Sequence, residues 1–114
     1  MLKLTTLLAL VLFVPSAAAQ QCEEISFSSG TTSGEVSGRV TEENPMCFTF
    51  ASGAGQTAKL DLYGSDNACF TIDSVVDCQS NYSFETAQQT YKVGVYQLFP
   101  DYEAEDFTLR LTIE

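Results

Sequence analysis

Carboxylates are the only abundant reactive groups in this chain of 114 residues: fifteen Asp and Glu stand without a single histidine. The missing imidazole removes Ser-His-Asp and Cys-His nucleophiles, HExxH zinc sites and the usual general base near neutral pH. Two carboxylates can cleave a glycoside unaided, and Asp61, Asp66, Asp73 and Asp77 are the material for that. A chain this short leaves little room for a substrate cleft, so the sequence predicts a protein without catalysis. Ser52 lies in Ala51-Ser52-Gly53-Ala54-Gly55, which is not GxSxG and reads as a turn. Asp101-Tyr102-Glu103-Ala104-Glu105-Asp106 packs four carboxylates into six residues. These are oxygen ligands of the kind calcium takes, but the stretch lacks the spaced Asp, Asn and Gly of a calcium loop. It reads as a solvated, self-repelling loop, and neither a metal nor a cofactor is expected. Asn81-Tyr82-Ser83 is a formal N-glycosylation sequon.

The cysteines offer covalent rather than catalytic chemistry. Cys22, Cys47, Cys69 and Cys78 fit no zinc spacing and contain no CxxC. Three connectivities are open to four cysteines; the short local loop favours Cys69 with Cys78, which leaves Cys22 with Cys47. The context is oxidising, because Lys3, the apolar run Leu7 to Val14 and the small residues Ala17-Ala18-Ala19 before Gln20 form a cleavable secretory signal over residues 1–19. No lipid anchor is expected, since Gln20 and Gln21 precede Cys22. Residues 20–114 make one domain. At that size only about 60–65% of the unfolded surface is buried, so covalent staples matter.

The formal net charge is −10, and loss of Lys3 with the leader deepens it. After residue 19 the cations are Arg39, Lys59, Lys92 and Arg110. Such a surface repels phosphate backbones and anionic headgroups, which excludes nucleic acid and favours basic partners. No membrane span is expected in the mature chain, and a monomer is.

The elements that must carry these residues are strands. Phe107, Leu109, Leu111 and Ile113 alternate with Thr108, Arg110, Thr112 and Glu114, the period of a strand buried on one face. The same alternation runs through Ala58 to Leu62, Tyr91 to Val95 and Met46 to Phe50, with shorter candidates at Ile25-Phe27, Val36 to Val40 and Phe70-Ile72. Turn residues separate them at Ser28-Ser29-Gly30, Glu43-Asn44-Pro45, Ser52 to Gly55, Gly64 to Asn67 and Pro100-Asp101. Seven to eight short strands at this spacing predict an all-β, antiparallel β-sandwich stabilised by disulfides. By parity Cys47 and Cys69 face away from Phe48 and Phe70, which puts both bridges on outer faces or edges.

The order of motifs resembles the bacterial periplasmic inhibitors of g-type and i-type lysozymes over nearly the whole mature chain. The residues that carry it are Phe27 with Gly30, Ser33-Gly34-Glu35-Val36-Ser37-Gly38, Phe48-Thr49-Phe50, Gly55-Gln56, Tyr91 to Val95 and the closing Phe107 to Ile113 strand. A weaker resemblance, to the prepeptidase C-terminal sandwich modules of secreted enzymes, shares Phe48-Thr49-Phe50 and Gly55-Gln56. The first resemblance implies a periplasmic or secreted protein that pushes loop side chains into the cleft of a lysozyme-type glycoside hydrolase. Gln97 to Tyr102 occupies the family's contact position, with Phe99, Asp101 and Tyr102 as contacts and Ser33 and Gly34 as a second contact region. The loop departs from members that inhibit g-type enzymes in having no arginine, which leaves the enzyme class open. The second resemblance implies instead an accessory module binding carbohydrate or another surface component. Aromatics spread over a flat sheet face would favour that module, and aromatics gathered on one protruding loop would favour an inhibitor.

Overall fold

The computed structural model describes residues 21–27 and 30–114. The signal assigned to residues 1–19 and the Ser28-Ser29 part of the first turn lie outside the described residues. The described chain forms nine strands: β1 (Glu23–Glu24), β2 (Ser33–Val40), β3 (Met46–Ser52), β4 (Thr57–Tyr63), β5 (Ala68–Ile72), β6 (Val76–Gln79), β7 (Asn81–Glu85), β8 (Gln89–Gln97) and β9 (Glu105–Ile113). They build a five-stranded sheet, β1-β3-β8-β5-β6, and a four-stranded sheet, β2-β9-β4-β7. No helix among the described residues is long and apolar enough to cross a membrane.

Alternation explains why the two sheets close on each other. Cross-strand partners share a face, so Leu60 opposite Leu111 and Leu62 opposite Leu109 set one inner surface. Phe48 opposite Val93 and Phe50 opposite Tyr91 set the other. Phe48, Leu60, Phe70, Val93, Val95, Leu109 and Leu111 are fully buried between them. The sheets meet in ring contacts as well: Phe48 stands edge-on to Phe107 with centroids 6.1 Å apart, and Phe84 edge-on to Tyr91 at 5.1 Å.

Three elements differ from the alternation pattern. The pairing at the N-terminal end falls on Glu23–Glu24 rather than Ile25-Phe27, and it is parallel, the one such pair among the described strands. Ile25 still donates its amide to Thr49 O at 2.9 Å and is buried, but Phe27 leaves the sheet edge. Strands β6 and β7 lie at sheet edges and are too short to stand out in the sequence, although in β7 half-buried Tyr82 and Phe84 do alternate with Asn81, Ser83 and Glu85.

Both disulfides form as the loop-length argument predicts, Cys22 with Cys47 and Cys69 with Cys78. They tie the two shortest strands of the five-stranded sheet, edge strands β1 and β6, to their inner neighbours β3 and β5. A two-residue strand has few ladder hydrogen bonds of its own, so covalent closure of these loops, worth about 2–4 kcal/mol each, is what fixes the edges. Cys47 and Cys69 lie on the outer face, as parity predicts, yet they are buried.

The motif Ser33-Gly34-Glu35-Val36-Ser37-Gly38 is explained by packing. Gly34 and Gly38 are inward positions, opposite Leu111 and Phe107. A Cβ on Gly34 would stand 2.5 Å from Ser26 O and 2.6 Å from the Phe27 ring; one on Gly38 would stand 2.3 Å from Met46 Sδ. The two glycines let side chains from Phe27 and Met46 lie flat across an edge strand.

Two buried polar residues close the ends of the sandwich. At one end Thr86 donates its hydroxyl to Gly53 O at 2.7 Å, and Gln56 Oε1 accepts the Gly53 amide at 2.7 Å, which locks the Gly53-to-Gln56 turn with Gly55 at φ 73°. At the other end Gln97 continues the buried row Tyr91, Val93, Val95 and meets the loop that joins β8 to β9.

Candidate functional site

Register places three loops together. Val40 pairs with Glu105, Met46 with Val95, Ala68 with Gln97 and Tyr63 with Thr108. The β2–β3 loop (41–45), the β4–β5 loop (64–67) and the β8–β9 loop (98–104) therefore emerge at one end of the sandwich. The last of these carries three of the five large hydrophobic side chains exposed among the described residues: Leu98 at 45%, Phe99 at 70% and Tyr102, fully exposed. The others are Phe27, at the opposite end, and Tyr63, on the outer face of the four-stranded sheet.

This aromatic knob is held by two side-chain amides. Asn67 donates Nδ2–H to Phe99 O at 2.8 Å and accepts the Phe99 amide on Oδ1 at 2.8 Å, while its own carbonyl accepts Leu98 N–H at 3.0 Å. The amide thus imitates a neighbouring strand for one residue. Gln97 spans the loop from below, donating Nε2–H to Glu103 O at 2.8 Å and accepting Asp101 N–H on Oε1 at 2.9 Å. Asp101 Oδ1 accepts Glu103 N–H at 3.2 Å, which closes the turn around Tyr102. Phe99 thereby has both backbone groups paired and the turn around Tyr102 is closed, so less ordering entropy remains to be lost on contact.

Around the knob stand Glu42, Glu43, Asp66, Asp101, Glu103 and Glu105, and the three loops contain no Lys or Arg. Thr41, Glu42 and Glu43 form an open hollow of about 280 Å³ with Asp101 and Tyr102. Two of the carboxylates have internal work: Asp101 in the turn around Tyr102, and Glu105, which accepts Ser65 Oγ–H at 2.6 Å. The acidic stretch 101–106 is further divided because Asp106 points to Arg39, at 2.8 Å, on the outer face of the four-stranded sheet. That guanidinium hydrogen-bonds and attracts the Asp106 carboxylate and holds it below its ordinary range. Among the described residues no group of three His, Cys, Asp or Glu is placed to hold a metal ion.

The remaining chemistry-bearing residues disperse. Asp61 lies on the outer face of the four-stranded sheet, Asp66 and Asp73 in separate turns and Asp77 on edge strand β6, so they share no cleft. Ser52 donates its hydroxyl to Ala87 O at 2.8 Å, and the sequon Asn81-Tyr82-Ser83 forms part of edge strand β7. On the outer face, burial and then the Glu35 carboxylate raise the Tyr63 hydroxyl above the usual tyrosine value. Of the five contact residues expected from sequence, Phe99, Asp101 and Tyr102 come together; Ser33, opposite Thr112, and Gly34, opposite Leu111, stand at the far end of β2. Asn67 and Gln97 add positioning roles that sequence alone does not assign. Gln97 does leave a signal there, a polar residue on the buried parity of an apolar row.

No protein-family model and no curated protein matches the chain. The class its fold defines is a two-sheet sandwich shared with solved periplasmic lysozyme inhibitors. PliG of Aeromonas hydrophila, a periplasmic inhibitor of g-type lysozyme, superposes with a TM-score of 0.70 at 22% identity, over 82% of this chain and 96% of that one. PliG of Salmonella Typhimurium gives 0.64 at 16% identity over 80% and 96%. A PliG mutant from Escherichia coli gives the same values. At these identities the shared property is the fold.

Proposed function

We propose that this chain is an exported, non-catalytic binding protein that blocks the substrate cleft of a lysozyme-type glycoside hydrolase with its 98–102 loop. The observation that carries the reading is the placement of Leu98, Phe99 and Tyr102 on one pre-organised loop at the end of the sandwich. Monomers rarely leave several large apolar side chains together in water without a partner for them. Structural neighbours that inhibit g-type lysozyme support the partner class. An accessory carbohydrate module has less support, because among the described residues only Tyr63 stands as an exposed aromatic on a flat sheet face.

Inhibition assays against g-, i- and c-type lysozymes test the reading. Phe99→Ala and Tyr102→Ala should each weaken the complex by about 1–3 kcal/mol, the range of aromatic hot spots, with folding intact. Thr108→Ala, whose hydroxyl meets only Ser37 on the outer face, should change little. If the wild-type protein at micromolar concentration leaves all three classes active, the inhibitor reading fails. Inhibition that survives both loop substitutions would move the contact surface to the far end, around Ser33 and Gly34.

A further inference from the structure

We propose that the partner docking on the knob presents cations around the depression that receives Phe99 and Tyr102, and that Glu42, Glu43, Asp66 and Glu103 recruit it by charge. The inference rests on the proposed function only for the identity of the partner; the chemistry of the surface comes from the distribution of charge. Arg39, Lys59 and Arg110, three of the four cations after residue 19, lie on the outer face of the four-stranded sheet. Each has a carboxylate beside it: Asp106 at 2.8 Å, Asp61 at 4.0 Å and Glu35 at 3.9 Å. Glu85 and Glu114 add to the carboxylates of that face, which is mixed in sign where the loop end is not. The loop end gathers six carboxylates around the exposed aromatic side chains, half of the twelve outside those three pairs, and has no cation.

An apolar knob ringed by one sign of charge is a two-part interface. Long-range attraction raises the encounter rate and selects against acidic partners, while the buried aromatic rings set the lifetime of the complex. A neutral or acidic cleft would force the ring of carboxylates to lose water without compensation as Phe99 enters. The partner is therefore a protein whose groove is rimmed by Lys or Arg.

Two variants of equal charge separate local recruitment from general acidity. E42Q/E43Q/D66N/E103Q neutralises the ring and spares Asp101 and Glu105, which hold backbone and side-chain contacts. E23Q/E24Q/D77N/E85Q removes as many exposed carboxylates from strands β1, β6 and β7. Against whichever lysozyme is inhibited, the ring variant should associate about tenfold more slowly at low salt, with dissociation nearly unchanged, and the strand variant should match wild type within about twofold. Hexa-arginine titrated into the isotope-labelled protein should shift amides of residues 41–45, 64–67 and 98–105, and the ring variant should lose those shifts. Equal slowing by both variants, or peptide shifts spread over β1 and β6, would overturn the proposal. If no lysozyme is inhibited and hexa-arginine still gathers at the loop end, the lysozyme reading falls and the cationic partner stands. If a lysozyme is inhibited and the ring variant binds it as fast as wild type, the reverse holds.

Discussion

Asn67 shows how much of the proposed binding loop depends on a residue outside it. Its amide makes both backbone hydrogen bonds of Phe99, so Asn67→Ala leaves a donor and an acceptor facing water and frees the ring to wander. We expect the backbone order parameter of Phe99 to fall from the rigid range toward about 0.6, with affinity for a partner of the proposed kind falling by about 1 kcal/mol. Unaltered order at Phe99 in this variant would show that packing, not the amide, holds the loop. Asp106 offers a pH signature at the same scale. Arg39 depresses the folded-state pKa of Asp106 by its hydrogen bond and charge, so this pair's contribution is complete above the ordinary carboxylate range and is lost as pH falls through the depressed value. Thermal midpoints of wild type and Asp106→Asn should therefore differ at neutral pH and converge in acid. Because Arg39 and Asp106 are 68% and 71% exposed, the gap should be small and should close in high salt.

Strand β2 carries the clearest test of an element. Gly34→Ala pushes its Cβ against the backbone oxygen of Ser26 and the Phe27 ring, so about 1–3 kcal/mol of destabilisation is expected in denaturant unfolding. Gly38→Ala first meets the flexible end of Met46 and should cost less. An equal loss at both positions would mean that Met46 is as fixed as the backbone. Legibility in the sequence also divides by element. Period-two alternation exposes the inner rows of β3, β4, β8 and β9 because burial on one face only leaves that pattern in sequence. It leaves β6 and β7 unassigned, because their four and five residues alternate too briefly, and at too shallow a burial, to stand out. Nor can it set the direction of β1, whose two residues are fixed by the Cys22–Cys47 bridge and by Ile25 against Thr49. At the candidate site, Phe99 and Tyr102 are legible as large aromatics in a turn-rich loop. Asn67 is not, since its contact with Phe99 spans 32 positions and exists only once register has brought the β4–β5 and β8–β9 loops together. Ser33 and Gly34 look surface-functional in sequence and prove to be separated from the loop by the length of a strand.

At the scale of the whole molecule, one property, a net charge of −10, acts with opposite signs on stability and on binding. Carboxylates repel one another in the compact state more than in the expanded chain, so folding works against a field that salt relieves. Only three ion pairs oppose this among the described residues, and two of them are long, at 4.0 and 3.9 Å. Screening should therefore weaken more repulsion than attraction, and the thermal midpoint should rise by a few degrees when sodium chloride is increased from low to about 0.15 M, where the Debye length falls to about 8 Å. Over the same range, association with a cationic partner should slow while dissociation changes little, because steering acts before contact and the aromatic anchors act after it. Differential scanning calorimetry and surface-binding kinetics on one preparation read both quantities. A midpoint that falls with salt would assign the surface pairs a larger role than their geometry supports. An association rate indifferent to salt would leave the carboxylates as agents of solubility alone.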